Sequence, residues 1–457
     1  MTFMIRILSY LSACILLWSC GKSESDETKT ISVISLTVNG IPLTDGTVNV
    51  PLELNLQIAF SGKIIPELLE SNLSITNQGN KLSDLDFSYT NASTKVSISA
   101  LLDYNTTYLL TLGPVNIGED NAVLDQGVSR SFTTKDEGII TSREPCLSAA
   151  NDCLENLELA SEGISGRFSL YSSYTVEPDN ARWEAVKNAV ITIHGQNRDG
   201  DAYFESMANS LKSLNKQANT VLLSPVFKDQ NAAAGNDLYW SGTGWRQGTI
   251  SGGGIAKSSV WVIEQILARL SNEDVFPSLD KVIIAGHSSG ALMTQVLAAL
   301  IDSEEYVEKF DLQFVVANSQ YFYYPRDVRY DTGKGSFQMV TGCPGYNHWP
   351  YGYNQFPAYL GNLSQNALES NLIGNKVLYL LGSNDVTTTG TLNTSDCAAV
   401  LLGENRLRRG ENMFDLLQTY FPAMHHSQKT IVNGVGHDFN GMFLSSEFKS
   451  WLTEILK

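Results

Sequence analysis

The chain is poor in basic residues: 31 lysines and arginines stand against 48 aspartates and glutamates, giving a formal charge of −17 at pH 7. No basic stripe is available to neutralise phosphates, which excludes nucleic acid as a partner. The sequence also lacks an apolar run of the roughly 20 residues that a membrane-spanning helix needs. Its 43% of hydrophobic residues nevertheless suffices for two or three domain cores.

The N-terminus is typical of an export signal. In residues 1–19, Arg6 precedes a short apolar stretch that ends in Leu-Trp-Ser before Cys20. These last four residues resemble the lipobox of bacterial lipoproteins, which implies cleavage before Cys20 and a lipid anchor on its thiol. An ordinary signal peptide with an incidental cysteine is the alternative. Residues 20–30 are polar and charged, which predicts a disordered tether. Their acidic residues resemble the surface-export tethers of Bacteroidetes lipoproteins, which implies an outer-membrane lipoprotein in a Gram-negative cell envelope.

Export places the remaining cysteines in an oxidising compartment. Of six cysteines, one leaves with the signal, Cys20 carries lipid, and four remain: Cys146, Cys153, Cys343 and Cys397. An even number in such a compartment predicts disulfides, with three possible pairings. The nearness of the first two favours a local bridge, which would leave the last two to join long loops. A metal site is the alternative, but no C-x-x-C or nearby pair of histidines supports it.

Residues 31–134 consist of short alternating strands with frequent turns. Residues 52–60 alternate between polar and apolar side chains without a fault, and Asn39-Gly40 is a hairpin dipeptide. The pattern predicts a β-sandwich. Residues 102–108 and the closing Ser-Phe-Thr at 131–133 resemble bacterial Ig-like domains of the SbsA type. No cluster in this segment suggests chemistry, so we expect a stalk or spacer, with glycan binding as the alternative.

The rest of the chain is predicted to be a linker, residues 135–160, and a catalytic domain, residues 161–457. In that domain strands alternate with helical stretches, which predicts a mostly parallel sheet covered on both faces. The predicted strands include residues 220–225, 282–285, 314–318, 377–381 and 430–432. Ligand sites in such sheets lie beyond the carboxyl ends of the strands, so functional residues are expected there.

The most informative motif is Gly-His-Ser-Ser-Gly at residues 286–290, directly between a strand and a helix. A strand-to-helix elbow of this G-x-S-x-G form exposes the serine hydroxyl at the edge of the sheet. Its two glycines provide the small neighbours that so tight a turn requires. Ser288 is therefore the candidate nucleophile, and a serine that merely sits in a glycine-rich turn is the alternative.

A serine hydroxyl needs a base, and the base needs an orienting group. His437 follows the last predicted strand in a glycine-rich loop and precedes a helix predicted at residues 443–456, which makes it the candidate base. Asp385 follows the preceding strand and is the candidate orienting carboxylate, with Asp396 as its rival. In the order Ser288, Asp385, His437 these residues resemble the catalytic triad of the α/β-hydrolase superfamily.

The negative oxygen that forms during attack needs N–H donors. The elbow supplies the N–H of Ser289, and the loop after an early strand, His194-Gly195-Gln196, offers the N–H of Gln196. With these motifs, residues 163–457 resemble the α/β-hydrolase superfamily. His194-Gly195 and Gly244-Trp245-Arg246 are similar to poly(3-hydroxyalkanoate) depolymerases and feruloyl-esterase-like hydrolases. The resemblance implies a serine carboxylic-ester hydrolase without metal or organic cofactor, acting on small or polymeric esters.

Two other functional classes stay open at this point. A serine peptidase on the same fold would use the same residues, and a surface binding protein could carry an inert hydrolase-like domain. Aromatic residues are concentrated between residues 321 and 359, and Trp240 and Trp245 lie in an earlier loop. They could line a substrate cleft for a sugar ring, a phenolic acid or a polyester, or they could form the core of a long insertion.

Overall fold

The computed structural model describes residues 29–136, 141–178 and 180–456. The chain divides into two compact units after residue 138. The predicted signal peptide, Cys20 and most of the predicted tether lie outside the described residues. Among the helices within the described ranges, none is long and apolar enough to cross a bilayer.

The first unit is a sandwich of two five-stranded sheets, in the orders β4-β12-β10-β6-β7 and β3-β2-β5-β9-β8, which confirms the predicted β-sandwich. Residues Leu54, Leu56, Ile58 and Phe60 of β5 are buried and alternate with more exposed neighbours, because successive side chains of a strand point to opposite faces. The elements are β1 Thr30–Ile31, β2 Val33–Val38, β3 Ile41–Pro42, β4 Thr47–Val50, β5 Glu53–Phe60, α1 Pro66–Asn72, β6 Leu73–Asn77, β7 Asn80–Lys81, β8 Asp86–Thr90, β9 Lys95–Leu101, β10 Thr107–Leu112, β11 Val123–Leu124 and β12 Val128–Thr134.

The second unit is built on one eight-stranded sheet in the order β13-β14-β16-β15-β17-β18-β21-β22. β14 runs antiparallel to both neighbours, and the pairs from β16 to β22 are parallel. The elements are β13 Leu154–Ser161, β14 Ile164–Ser172, β15 Asn188–Ile193, α2 Gly200–Ser213, β16 Thr220–Pro225, α3 Ser259–Leu270, β17 Lys281–His287, α4 Ser289–Leu300, β18 Asp311–Ala317, β19 Val328–Asp331, β20 Ser336–Met339, α5 Gln365–Gly374, β21 Lys376–Gly382, α6 Cys397–Val400, α7 Arg406–Tyr420, β22 Gln428–Val432, α8 Phe439–Phe443 and α9 Ser446–Ile455.

The central strands are buried on both faces, which is why they read as continuous apolar runs in the sequence. Every residue of β15 and β16 is buried. Ile284 of β17 belongs to the hydrophobic cluster that contains side chains of α3, α4, α5 and α7, whereas the preceding Ile283 belongs to the cluster that contains side chains of α2, α8 and α9. The sheet is therefore the middle of three layers, as the alternation of strands and helices predicted.

Two boundaries differ from the prediction. Strand β13 occupies residues 154–161, so most of its length falls in the segment predicted as linker. Its Leu157 and Leu159 are buried against the sheet, while Glu158 between them is exposed at its edge. This alternation is the pattern expected of a half-buried strand, and the linker prediction did not take it into account. The helix predicted at 443–456 is two helices, because the side chain of Ser445 accepts a hydrogen bond from Phe448 N–H and begins α9.

The four cysteines form the two predicted bridges. Cys146 is bonded to Cys153, immediately before β13, and Cys343 is bonded to Cys397, the first residue of α6. The second bridge spans 54 residues of sequence. It fastens the segment after β20 to the long loop that follows β21.

Candidate active site

Ser288 occupies a sharp turn between β17 and α4, with φ 58° and ψ −114°. A non-glycine residue in this region carries a strain of about 1–3 kcal/mol, which persists only where packing enforces it. The two glycines that flank Ser288 show how tightly this turn is packed. A Cβ on Gly290 would lie 2.2 Å from Ile193 O, and a Cβ on Gly286 would lie 2.2 Å from Gly290 O. Glycine is therefore required at positions 286 and 290, because the start of α4 lies against the ends of β15 and β17.

The structure brings the three sequence-predicted residues together. Nε2 of His437 lies 2.9 Å from Oγ of Ser288, and its Nδ1 lies 2.8 Å from Oδ2 of Asp385. Asp385 is 1% exposed, and the His437 side chain is 26% exposed. The carboxylate accepts a hydrogen bond from Nδ1–H, which leaves the lone pair of Nε2 free to accept the hydroxyl proton of Ser288. The three side chains follow β17, β21 and β22 at the carboxyl edge of the sheet.

The rival carboxylate, Asp396, makes other contacts. Its Oδ2 accepts a hydrogen bond from the Tyr351 hydroxyl at 2.9 Å, and its Oδ1 accepts one from Ala398 N–H at 3.1 Å. It thus begins α6 as a capping residue. Asp438, next to the histidine, similarly caps α8 through Asn440 and Gly441 N–H.

Sequence reasoning missed two residues that contact the loops carrying Asp385 and His437. Asn318, directly after β18, accepts a hydrogen bond from Gly382 N–H and donates one to Gly436 O, at 2.8 and 2.9 Å. It links the end of the Asp385 strand to the His437 loop. Arg406, the first residue of α7, places Nη1 3.6 Å from Oδ1 of Asp385. A polar residue at a strand end could have indicated Asn318, whereas no local motif marks Arg406.

The two predicted oxyanion donors flank the nucleophile. Ser289 is the first residue of α4, so its N–H has no acceptor within the helix. Gln196 belongs to the loop after β15 and lines the pocket at Ser288. A Cβ on the preceding Gly195 would lie 2.9 Å from the Tyr203 hydroxyl, with Cβ of Ser288 3.9 Å away. Glycine at this position thus avoids a clash with Tyr203 where the loop passes Ser288.

The loop after β15 is fixed by a buried histidine and an arginine. Nε2 of His194 accepts a hydrogen bond from Phe227 N–H at 3.1 Å, and burial lowers the pKa of His194 to about 4. Arg198, at φ 62°, donates to the carbonyls of Phe227, Trp240 and Gly242. His194 is therefore a neutral structural residue, and hydrogen bonds of His194 and Arg198 with the backbone hold the loop after β15 in place.

Ser288 opens into a pocket of about 340 Å³. Its polar lining includes Gln196, Asn197, Asp199, Gln320, Thr391 and Asp438. One wall is the Tyr203 ring, which stacks on Phe439 with centroids 4.2 Å apart. The Tyr203 hydroxyl lies 3.0 Å from Nδ1 of His287, and burial holds the pKa of His287 well below its usual value.

Four aromatic residues at the start of segment 321–359, which was open to prediction as a substrate cleft or as core, lie in the hydrophobic core. Tyr321, Phe322, Tyr323 and Tyr324 are at most 7% exposed and pack in the main hydrophobic core, together with Trp240 and Trp245. None of them lines the pocket at Ser288. Their packing partners come from distant parts of the chain, which composition alone cannot reveal.

Comparison with known proteins identifies the first unit. Residues 32–134 match the family model of a bacterial Ig-like domain. No curated protein matches the chain in sequence.

Solved structures that are similar to the chain share little sequence with it. LpqC, a poly(3-hydroxybutyrate) depolymerase from Bordetella parapertussis, is 18% identical over 61% of this chain and 82% of its own, with a TM-score of 0.44. Poly(aspartic acid) hydrolase-1 from Sphingomonas sp. KT-1 is 14% identical over 66% and 98%, with a TM-score of 0.45. An S-formylglutathione hydrolase from Agrobacterium tumefaciens is 11% identical over 66% and 95%, with a TM-score of 0.38. On its own strand order and serine elbow, the second unit has the α/β-hydrolase fold, and residues 32–134 ahead of it are a bacterial Ig-like domain.

Proposed function

We propose that the second unit is a serine hydrolase that cleaves carboxylic esters through an acyl-enzyme on Ser288. The observation that carries this proposal is the hydrogen-bonded series from Ser288 through His437 to the buried Asp385, set on a strained elbow. Backbone strain of this kind is retained where packing enforces it, and it clusters at active sites.

The geometry suggests the role of each residue. Nε2 of His437 takes the proton of Ser288 while Oγ forms a bond to the ester carbonyl carbon. The N–H groups of Ser289 and Gln196 stabilise the resulting oxyanion. The imidazolium then donates its proton to the alcohol as the C–O bond breaks. Water, deprotonated by His437, hydrolyses the acyl-enzyme and restores the serine.

The direct test of reaction class is to compare p-nitrophenyl butyrate with the corresponding p-nitroanilide. The proposal expects turnover of the ester, and loss of that turnover in the Ser288→Ala variant. A kcat/KM for the anilide equal to that for the ester would indicate a peptidase. Absence of ester turnover by folded protein would reject the proposal.

The charges around the pocket bear on the kind of ester. Asp199 and Asp438 line it, and no lysine or arginine is among its described lining residues. Oδ1 of Asp199 is buried with no hydrogen-bond partner among the residues that the structure describes. Burial raises the pKa of Asp199, so its full negative charge is present only above that raised value. A substrate carboxylate placed here would be repelled by both aspartates.

We therefore predict that the enzyme prefers a neutral acyl chain. At pH 8, kcat/KM for p-nitrophenyl butyrate should exceed that for mono-p-nitrophenyl succinate by about 30-fold, since each of the two repulsions is worth on the order of 1 kcal/mol. Asp199→Asn should narrow the ratio about fivefold. Asp201→Asn, an exposed neighbour on α2, is the matched control and should leave the ratio unchanged. Equal turnover of both esters by the unmodified protein would contradict this preference.

We also propose that the protein is exported and anchored through lipid on Cys20, as an outer-membrane lipoprotein. The support is the sequence before Cys20, which resembles a lipobox. Cys20→Ala is predicted to move the protein from the membrane fraction to the soluble fraction of a Gram-negative host. Unchanged membrane association of that variant would argue against the anchor.

A further inference from the structure

Asp385 uses only one of its carboxylate oxygens for His437. Oδ2 accepts the hydrogen bond from Nδ1 of His437, whereas Oδ1 is buried without any hydrogen bond among the described residues. A buried carboxylate that lacks a counter-charge is strongly disfavoured in its ionised form. A neutral imidazole cannot supply that charge. Another residue must therefore supply the counter-charge of Asp385.

Arg406 is placed to do so. Its Nη1 lies 3.6 Å from Oδ1 of Asp385, and the two side chains are 3% and 1% exposed. Helix α7 begins at Arg406, where Asn405 caps the helix and Leu407 N–H donates to Asp385 O at 3.2 Å. The start of α7 is thus attached directly to the loop that carries Asp385. Burial lowers the pKa of Arg406, and the Asp385 charge opposes that change.

Arg409, on the same helix, shows that burial alone does not explain the contact between Arg406 and Asp385. Arg409 is 1% exposed and donates hydrogen bonds to three carbonyls, those of Gly403, Gln320 and Asn393. Arg406 makes one side-chain hydrogen bond, from Nη2 to Thr391 Oγ1 at 2.9 Å, and its Nε has no partner within the described part of the chain. Its remaining polar contact is Asp385. The guanidinium of Arg406 is therefore paired with the Asp385 carboxylate, whereas that of Arg409 is hydrogen-bonded to backbone carbonyls.

We propose that Arg406 is a positioning residue that pairs its charge with Asp385 and holds the carboxylate aimed at Nδ1 of His437. The inference rests on the proposed hydrolase function, because a positioning role has meaning only if the Ser288 series is catalytic. Through Thr391, which lines the pocket, the same guanidinium also connects the carboxylate to the substrate side of the loop.

The direction of the effect on pH dependence follows from the charges around this pair. His437, Arg406, His287, Tyr321 and Arg409 are the titratable or charged groups around the two side chains. His287 is neutral and buried. The positive charge of Arg406 disfavours a further proton on the Asp385–His437 pair, so its removal makes protonation of the pair easier. The acid limb of the kcat/KM profile should then move to higher pH.

The experiment measures kcat/KM for p-nitrophenyl butyrate from pH 5 to 9 in the full chain and three variants. Arg406→Gln removes the charge and should move the acid limb upward by about one pH unit or more. Arg406→Lys keeps the charge but loses the guanidinium fork, so the limb should stay near its original position while kcat falls. Arg409→Met removes an equally buried arginine and should lower the midpoint of thermal unfolding without moving the limb.

Two results would overturn the proposal: an unmoved limb in folded Arg406→Gln, or an equal shift in Arg409→Met. If Arg406→Gln yields no folded protein, Arg406→Lys decides the question, because a merely structural role predicts a lower unfolding temperature with unchanged kcat. The Ser288→Ala variant separates the two levels of the account. If Ser288→Ala were as active as the unmodified protein, the proposed hydrolase function itself would be rejected. If Ser288→Ala were inactive but the acid limb of Arg406→Gln did not shift, only the proposed role of Arg406 would be rejected.

Discussion

Ser288→Ala should lower kcat for p-nitrophenyl butyrate by roughly 10⁴- to 10⁶-fold, because the acyl-enzyme can no longer form. The variant loses the hydroxyl that lies 2.9 Å from Nε2 of His437. The elbow should be preserved, since its shape is imposed by Gly286, Gly290 and the end of β15. Thermal unfolding by circular dichroism checks that the variant is folded.

Ser289→Ala is the matched control for that experiment. It removes a hydroxyl one residue away, which accepts a hydrogen bond from Arg246 at 3.2 Å, but it keeps the backbone N–H that is proposed to bind the oxyanion. We expect kcat to remain within about tenfold of the original, as for loss of a single weak contact. If Ser289→Ala were as inactive as Ser288→Ala, this comparison would no longer support Ser288 as the nucleophile.

Asp385→Asn should reduce kcat by about 10⁴-fold while the site keeps its shape. An asparagine can turn its amide N–H toward Nδ1 of His437, which places the imidazole proton on Nε2. That nitrogen then cannot accept the proton of Ser288. The comparison variant is Asp396→Asn, the rival carboxylate, which contacts Tyr351 and caps α6.

Asp396→Asn should leave kcat close to that of the unmodified protein and cost at most about 1 kcal/mol of unfolding free energy through the altered cap. Steady-state kinetics and urea unfolding of both variants separate catalysis from stability. Loss of activity in Asp396→Asn with full activity in Asp385→Asn would exchange the two assignments.

Much of the candidate site could be located from sequence because of one geometric rule. In a parallel sheet the carboxyl ends of neighbouring strands meet at one edge, so residues that directly follow apolar runs are expected to lie together. Ser288, Asp385 and His437 each follow such a run, and they form one hydrogen-bonded series. The rule needs only strand ends, which continuous buried runs mark clearly.

Other features depend on contacts that the local sequence does not encode. Arg406 reaches Asp385 because α7 packs its first turn against that loop, and nothing around residue 406 distinguishes it from Arg408 or Arg409. The aromatic residues at 321–324 have the composition of a ligand cleft, yet they fill the space between the sheet and its helices. Edge strand β13 lies mostly in the segment predicted as linker, although its Leu157 and Leu159 alternate with Glu158 in the pattern of a strand.

The most direct test of the central claim is to label the folded protein lacking residues 1–20 with a fluorophosphonate probe and to locate the modified peptide by mass spectrometry. The account predicts one probe per chain, attached to Ser288, and no labelling of Ser288→Ala. It would be contradicted by labelling that persists in Ser288→Ala, by attachment to another residue, or by folded protein that does not react with the probe.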